Sequence, residues 1–212
     1  MQTENGLNAI TLGMGCFWSP DALFGQLPGV LRTRVGYAGG TTDTPSYREL
    51  GDHTETVEVV YDESRLPLET ILDVFWNGHN PDNINDYKGR QYLSLMLFRD
   101  EGQRKVIEQV MQRREAEGRG RPATEIASFQ AFYPAEDRHQ KYYLKRYPDA
   151  VKKLTVLFPT HEDLVNGTLP ARLNGVAKGY ANRAQLLEEI RTWRIGEEEQ
   201  EEMRRLVESI RW

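Results

Sequence analysis

The residue with the greatest chemical reach in this sequence is its one cysteine, Cys16, set in the run Gly13-Met14-Gly15-Cys16-Phe17-Trp18-Ser19-Pro20. A lone cysteine is most often a small buried hydrophobe, but its surroundings here argue otherwise. Residues 7–12 read as a short strand, Gly13-Met14-Gly15 as a turn, and a helix is expected to begin near Ser19-Pro20. A thiol in such a turn faces unpaired backbone N–H groups and the positive end of the helix. Both favour the thiolate, so a lowered thiol pKa and nucleophilic or redox chemistry at sulfur are expected. With one cysteine the chain can form neither an internal disulfide nor a cysteine-only zinc or iron–sulfur site. Phe17 and Trp18 follow at once, two large aromatics that can line a pocket beside the thiol or simply fill the core.

The second group of interest is Glu55. In the strand read over Thr54 to Tyr61 it shares the parity of Val57, Val59 and Tyr61, so its carboxyl points to the apolar face. Burial there raises a carboxyl pKa, as a proton donor near neutral pH requires. An ion pair with Arg32 or Arg34 is the structural alternative. Glu58 has the opposite parity and is expected to be solvated. None of the four histidines, His53, His79, His139 and His161, stands in a metal-ligating spacing. A Cys–His dyad using His53 or His139 is the alternative to a carboxylic acid partner.

Several elements must position these groups. Pro20 to Leu27 reads as a helix stopped by Pro28-Gly29, and Val30 to Tyr37 alternates as a half-buried strand. Pro67 to Gly78 is the clearest helix, with Leu68, Ile71, Leu72, Phe75 and Trp76 on one stripe. Gly78 to Gly89 is a long polar loop of the kind that often carries function. A strand over Gln91 to Phe98, a helix over Glu101 to Glu117, a strand over Glu125 to Phe132 and a short helix over Ala135 to Arg146 follow. From about Pro159 the texture changes, and two amphipathic segments, Arg183–Trp193 and Glu197–Arg211, form a helical appendage. Its Asn174–Tyr180 stretch is expected to act as a lid over the site. This order lacks the regular βα alternation of a doubly wound sheet and predicts an α+β domain of two layers with a mixed sheet.

Composition narrows the partners. The chain has 212 residues, 39% hydrophobic and 28% charged, with a formal net charge of -5, which is globular and gives no footprint for nucleic acid or an anionic membrane. The basic cluster Arg113, Arg114, Arg119 and Arg121 lies among glutamates and glycines and reads as a solvated helix end. Neither a signal peptide nor a bilayer-spanning apolar run is apparent, so a cytoplasmic location is the expectation.

The run Gly15-Cys16-Phe17-Trp18 resembles the signature of the peptide methionine-S-sulfoxide reductases (methionine sulfoxide reductase A). The likeness continues in family order through Leu27-Pro28-Gly29-Val30, Gly36-Tyr37-Ala38-Gly39-Gly40, Pro45-Ser46-Tyr47 and His53-Thr54-Glu55. It goes on with Phe75-Trp76-Asn77-Gly78-His79-Asn80-Pro81, Gln91-Tyr92, Thr124-Glu125-Ile126, Phe132-Tyr133-Pro134-Ala135-Glu136-Asp137 and His139-Gln140, over roughly residues 8–148. The resemblance implies that Cys16 attacks the sulfoxide sulfur and that Glu55 protonates the departing oxygen, helped by Tyr47 and Tyr92. It implies that Phe17 and Trp18 hold the substrate methyl group, and that no metal or organic cofactor takes part. His79 and His139 match positions that look structural.

Departures from the family pattern matter as much. Tyr87 stands where the family usually has an aspartate five residues before the tyrosine matched by Tyr92, and Asp86 is one position off. Ser19-Pro20 follows Trp18 in place of glycine and a small residue. The carboxy-terminal tail has no resolving cysteine, so the Cys16 sulfenic acid must be reduced from outside, by thioredoxin or by glutathione with glutaredoxin. The fold expected is thus α+β, a two-layer ferredoxin-like sandwich with a mixed β-sheet over 1–158, plus a helical extension over 159–212. The function expected is thiol-dependent reduction of methionine-S-sulfoxide, free or peptide-bound. A thiol peroxidase on the same scaffold, or a binder of methionine or a partner protein without turnover, are the alternatives.

Overall fold

The segments with the clearest period-two pattern become the centre of a sheet. The computed structural model describes residues 7–212. In it β3 (Thr54–Asp62) lies between β1 (Leu7–Met14) and β2 (Val30–Ala38), antiparallel to both. Val57 and Val59 stand opposite Leu12 and Ile10, all four fully buried, the cross-strand apolar pairs that stabilise a sheet. β4 (Ser94–Phe98) runs antiparallel to β1, β5 (Glu125–Ser128) parallel to β4, and β6 (Phe132–Pro134) antiparallel to β2, in the order β5-β4-β1-β3-β2-β6. The sheet is mixed and the class α+β, as expected.

Helices α1 (Trp18–Gly25), α2 (Leu68–Asn77) and α3 (Glu101–Ala116) contribute to one core with this sheet. The whole α2 stripe is buried and meets Ile10, Leu12, Val57 and Val59 from the sheet and Ile107, Val110 and Met111 from α3. Asp100 caps α3, its carboxylate accepting from the Gln103 N–H at 2.9 Å. Of the expected solvated arginine cluster, Arg114 is buried: it donates to Asn77 Oδ1 and lies over the Trp76 ring.

Residues 125–132 depart from the strand expected there. They are two short strands at opposite edges of the sheet, joined by residues 129–131. Six flat strands place their edges about 24 Å apart, whereas four Cα steps reach at most about 15 Å. The sheet must therefore curl, and its back face closes on a second cluster of Ala38, Leu95 and Leu97 under Phe129 and Phe132. The curl also overturns the expectation for Glu58. It is 7% exposed, and Arg34 grips one carboxylate oxygen (2.6 and 3.0 Å) while Arg99 takes the other (2.7 Å). Residues 91–93 precede β4 as an irregular segment. Ala135 to Arg146 holds only one helical turn, α4 (Tyr142–Lys145), because Lys141 before it is left-handed at φ 52°.

The chain continues through α5 (Pro148–Leu154), α6 (His161–Asn166), α7 (Thr168–Lys178), α8 (Arg183–Ile190) and α9 (Glu197–Ser209). Their apolar faces share one cluster, in which Leu144, Ala150 and Leu154 meet Leu164, Leu173, Leu186, Ile190 and Val207. It thus draws on residues from both sides of position 159. Asn174 to Lys178, expected in a lid, belong to α7, and Asn174 is fully buried. Its amide donates to Asp21 of α1 at 3.1 Å and its oxygen accepts from the Leu144 N–H at 3.0 Å. Arg172 donates to the carbonyl of Gly25, the last residue of α1, at 2.6 Å and to that of Val30, the first residue of β2, at 2.8 Å. α7 is a buttress for α1.

Candidate active site

The thiol is set by a short sequence of backbone choices. β1 ends at Met14, and Gly15 turns the chain at φ 90°, a conformation closed to most side chains; a Cβ there would also meet Ile84 at 2.9 Å. Phe17 then caps α1, whose first bond runs from the Asp21 N–H to the Phe17 carbonyl at 3.0 Å. Cys16 reaches solvent, yet its neighbourhood is crowded. Burial pushes the thiol up, the Trp18 N–H pulls it down, and the Glu55 charge pushes it up again, leaving the pKa above its ordinary value. The lowered pKa expected from the helix start is not found, because one N–H does not offset lost solvation and a neighbouring carboxyl.

Glu55 does point inward as its parity requires, and it is 1% exposed. One oxygen accepts from the Phe17 N–H at 3.2 Å and the other from Gln91 Nε2 at 2.8 Å. Burial raises its pKa against the lowering effect of these two donors. Neither Arg32 nor Arg34 pairs with it; Arg34 is engaged by Glu58. The acid is thus bonded to the residue next to the nucleophile.

An aromatic wall adjoins them. Phe17, buried, packs on Tyr37 and His139 with centroids 6.0 and 5.4 Å away. Trp18 stacks face to face on Tyr142 at 3.8 Å, and its Nε1–H donates to His139 Nδ1 at 3.2 Å. Tyr47 leans on the His139 ring at 4.9 Å and is 40% exposed. Its loop is fastened by Glu136, which accepts from the Tyr47 N–H at 3.1 Å and the Tyr37 hydroxyl at 2.7 Å. Tyr92, half-buried in the segment before β4, feels burial first and then the charges of Glu55 and Cys16. Its phenol is pushed up to about 12, so it remains a donor at neutral pH. Six residues named from the sequence, Cys16, Phe17, Trp18, Tyr47, Glu55 and Tyr92, therefore converge.

Three residues escaped that reading: Gln91, His139 as a wall of the pocket, and Tyr142. Gln91 sits beside Tyr92, and the loss of regular strand at 91–93 is the local signal for it. Asp86 bonds within its own loop to Asn83, while Tyr87 lies on Tyr92 at 4.7 Å. His53 spends both nitrogens on the 40–42 loop, accepting from the Gly40 N–H and bonding the Thr42 carbonyl. His79 does the same with Phe75 and Ser94. Neither is free to serve as a base. Among the described residues, no group of three or more His, Cys, Asp and Glu side chains converges as a metal site requires.

The site brings a thiol, a carboxyl of raised pKa and phenols together beside a cluster of aromatic rings. It is equipped for attack by sulfur on a polar centre with protonation of the group that leaves. The family model of peptide methionine sulfoxide reductase matches residues 8–166. A peptide methionine sulfoxide reductase of Drosophila melanogaster is 42% identical over 185 residues, 86% of this chain and 73% of that protein. Methionine sulfoxide reductase A of Corynebacterium diphtheriae superposes with a TM-score of 0.58 at 34% identity, covering 70% of this chain and 79% of its own. Mxr1 of Saccharomyces cerevisiae in reduced form gives 0.62 at 27% identity, covering 70% and 90%, and has also been solved in complex with Trx2. With the matched residues spanning β1 to α6 and the site lying inside them, the chain belongs to the peptide methionine sulfoxide reductase family and reduces methionine sulfoxide.

Proposed function

We propose that this chain reduces the S epimer of methionine sulfoxide at Cys16, with Glu55 as proton donor. The observation that carries the reading is the bond from the Phe17 N–H to Glu55, which holds a protonatable carboxyl beside the residue following the thiol. The Cys16 thiolate attacks the sulfoxide sulfur while the oxygen takes a proton from Glu55, with the Tyr47 and Tyr92 hydroxyls donating to it. The S–O bond breaks, the hydroxyl passes to the Cys16 sulfur, and methionine leaves, so that Cys–S⁻, R₂SO and H⁺ become Cys–SOH and R₂S. Phe17 and Trp18 enclose the methyl group. An external thiol then condenses with the sulfenic acid, releasing water, and a second thiol frees Cys16 as a disulfide forms. The complex of the yeast relative Mxr1 with Trx2 supports a thioredoxin in that role. The order β4-β1-β3-β2 in the chain sequence β1α1β2β3α2β4 supports a ferredoxin-like reading of the core.

The test is a racemic methionine sulfoxide peptide incubated with the protein and dithiothreitol, resolved by chiral chromatography. Only the S epimer should disappear; Cys16→Ser should abolish turnover and Glu55→Gln should slow it by about 10²-fold or more. Equal loss of both epimers, or full activity of either variant, contradicts the assignment.

A further inference from the structure

Gln91 holds Glu55 twice. Its main-chain oxygen accepts from the Glu55 N–H at 2.9 Å, and its Nε2 donates to Glu55 Oε1 at 2.8 Å. A primary amide can face a carboxyl with nitrogen or oxygen first, and the two orientations have opposite consequences. Nitrogen first stabilises the carboxylate that remains once the acid has given up its proton. Oxygen first accepts that proton and stabilises the neutral acid, keeping the proton from the substrate. Tyr87 selects between them. Its hydroxyl donates to Gln91 Oε1 at 3.3 Å, which turns the oxygen away from Glu55. The ring is seated on two sides, by Tyr92 at 4.7 Å and by Gly89, where a Cβ would come within 2.9 Å of ring carbon Cε1. The seat explains how a side chain 43% exposed can aim its hydroxyl at one atom.

We propose that Tyr87 is a positioning residue for the sulfoxide reduction, acting through Gln91: its hydroxyl holds the amide nitrogen-first against Glu55, so that the carboxyl proton goes to the substrate instead of to Gln91. The inference rests on Glu55 as the proton donor, and its test must separate the two.

Tyr87→Phe keeps the ring and its seat and removes only the hydroxyl. Gln91→Met keeps the length of the side chain and removes the amide. Both are measured for kcat and KM on the S epimer, and for titration of the Glu55 carboxyl by ¹³C NMR, with the signal identified by its absence in Glu55→Gln. In Tyr87→Phe, kcat should fall roughly tenfold with KM within about twofold, and the Glu55 titration should move to higher pH. Gln91→Met should move the titration the same way. Adding Tyr87→Phe to Gln91→Met should then change nothing further, because the hydroxyl has no amide left to orient. A Tyr87→Phe effect confined to KM, an unmoved Glu55 titration, or additive losses in the double variant would overturn the proposal. Full turnover by Glu55→Gln would instead remove the proton-donor reading, while the NMR titrations still decide whether Tyr87 orients the amide.

Discussion

The pair Asp21–Lys141 joins α1, the helix that begins two residues after the thiol, to the rest of the chain, and its removal should be costly. Both side chains are fully buried. Lys141 Nζ donates to Asp21 Oδ1 at 2.9 Å, to the Thr33 carbonyl at 2.6 Å and to Thr33 Oγ1 at 3.0 Å. Lys141→Met deletes the charge and keeps the stem. It leaves the Asp21 carboxylate with three neutral donors, the Lys141 main-chain N–H (3.1 Å), Thr33 Oγ1 (2.5 Å) and Asn174 Nδ2 (3.1 Å). Breaking a buried pair costs about 3–5 kcal/mol, most of it the uncompensated charge, and the retained donors place this case near 3 kcal/mol. For a chain of this length the melting temperature should fall by roughly 10 °C. Equilibrium urea unfolding of the full chain measures the first figure and calorimetry the second. The double variant Asp21→Asn with Lys141→Met should recover most of the loss, since no buried charge is then left unpaired. A loss under about 1 kcal/mol in Lys141→Met, or a double variant worse than the sum of the singles, would refute the reasoning.

Other consequences follow from the titrating groups. Burial first, and the Glu55 charge in addition, hold the Cys16 thiol up, so Glu55→Gln should move the pH curve of Cys16 alkylation by iodoacetamide to lower pH; movement to higher pH contradicts that coupling. Burial lowers the pKa values of His79 and His139 below the ordinary 6.5, partly opposed by the Phe75 carbonyl and the Glu136 charge respectively. The native state therefore binds fewer protons than the unfolded one, and the stability these imidazoles contribute is present above pH 6.5 and lost as pH falls below it. Thermal melts from pH 7.5 to 5 should show that decline, and a flat profile in parent and His79→Gln alike counts against it.

Much of the site was legible because it rests on local rules. The period of β3 settled where Glu55 points, and the α2 stripe was read residue for residue. What failed depended on global geometry. Glu58 obeys its parity, but the face it points to is covered by the curl of the sheet, and no local period encodes curl. The division of 125–132 between opposite sheet edges has the same origin. The Cys16 pKa failed for another reason: a helix start is visible in sequence, while the burial that outweighs it, with the Glu55 charge added, comes from residues brought together only by the fold. Asn174 reads locally as part of a loop next to Gly175, and only its contacts with Asp21 and Leu144 make it a core residue.

The raised thiol also bears on the thiol peroxidase alternative. Cys16 and Glu55 are both held up by burial, and a charge on Glu55 disfavours one on Cys16, so the resting site opposes two anions at once. A sulfoxide resolves that conflict. Its positive sulfur stabilises the thiolate it faces, and its negative oxygen draws the Glu55 proton, so one charge is consumed as the other forms. Hydrogen peroxide has no such dipole and meets only the small thiolate fraction of a thiol with raised pKa. Cys16 should therefore react with peroxide no faster than free cysteine at pH 7, measured by stopped-flow consumption of peroxide with Cys16→Ser as the blank. Peroxide consumption outpacing sulfoxide reduction at equal concentrations would mean that the pocket activates its thiol without the substrate, against the electrostatics of this site.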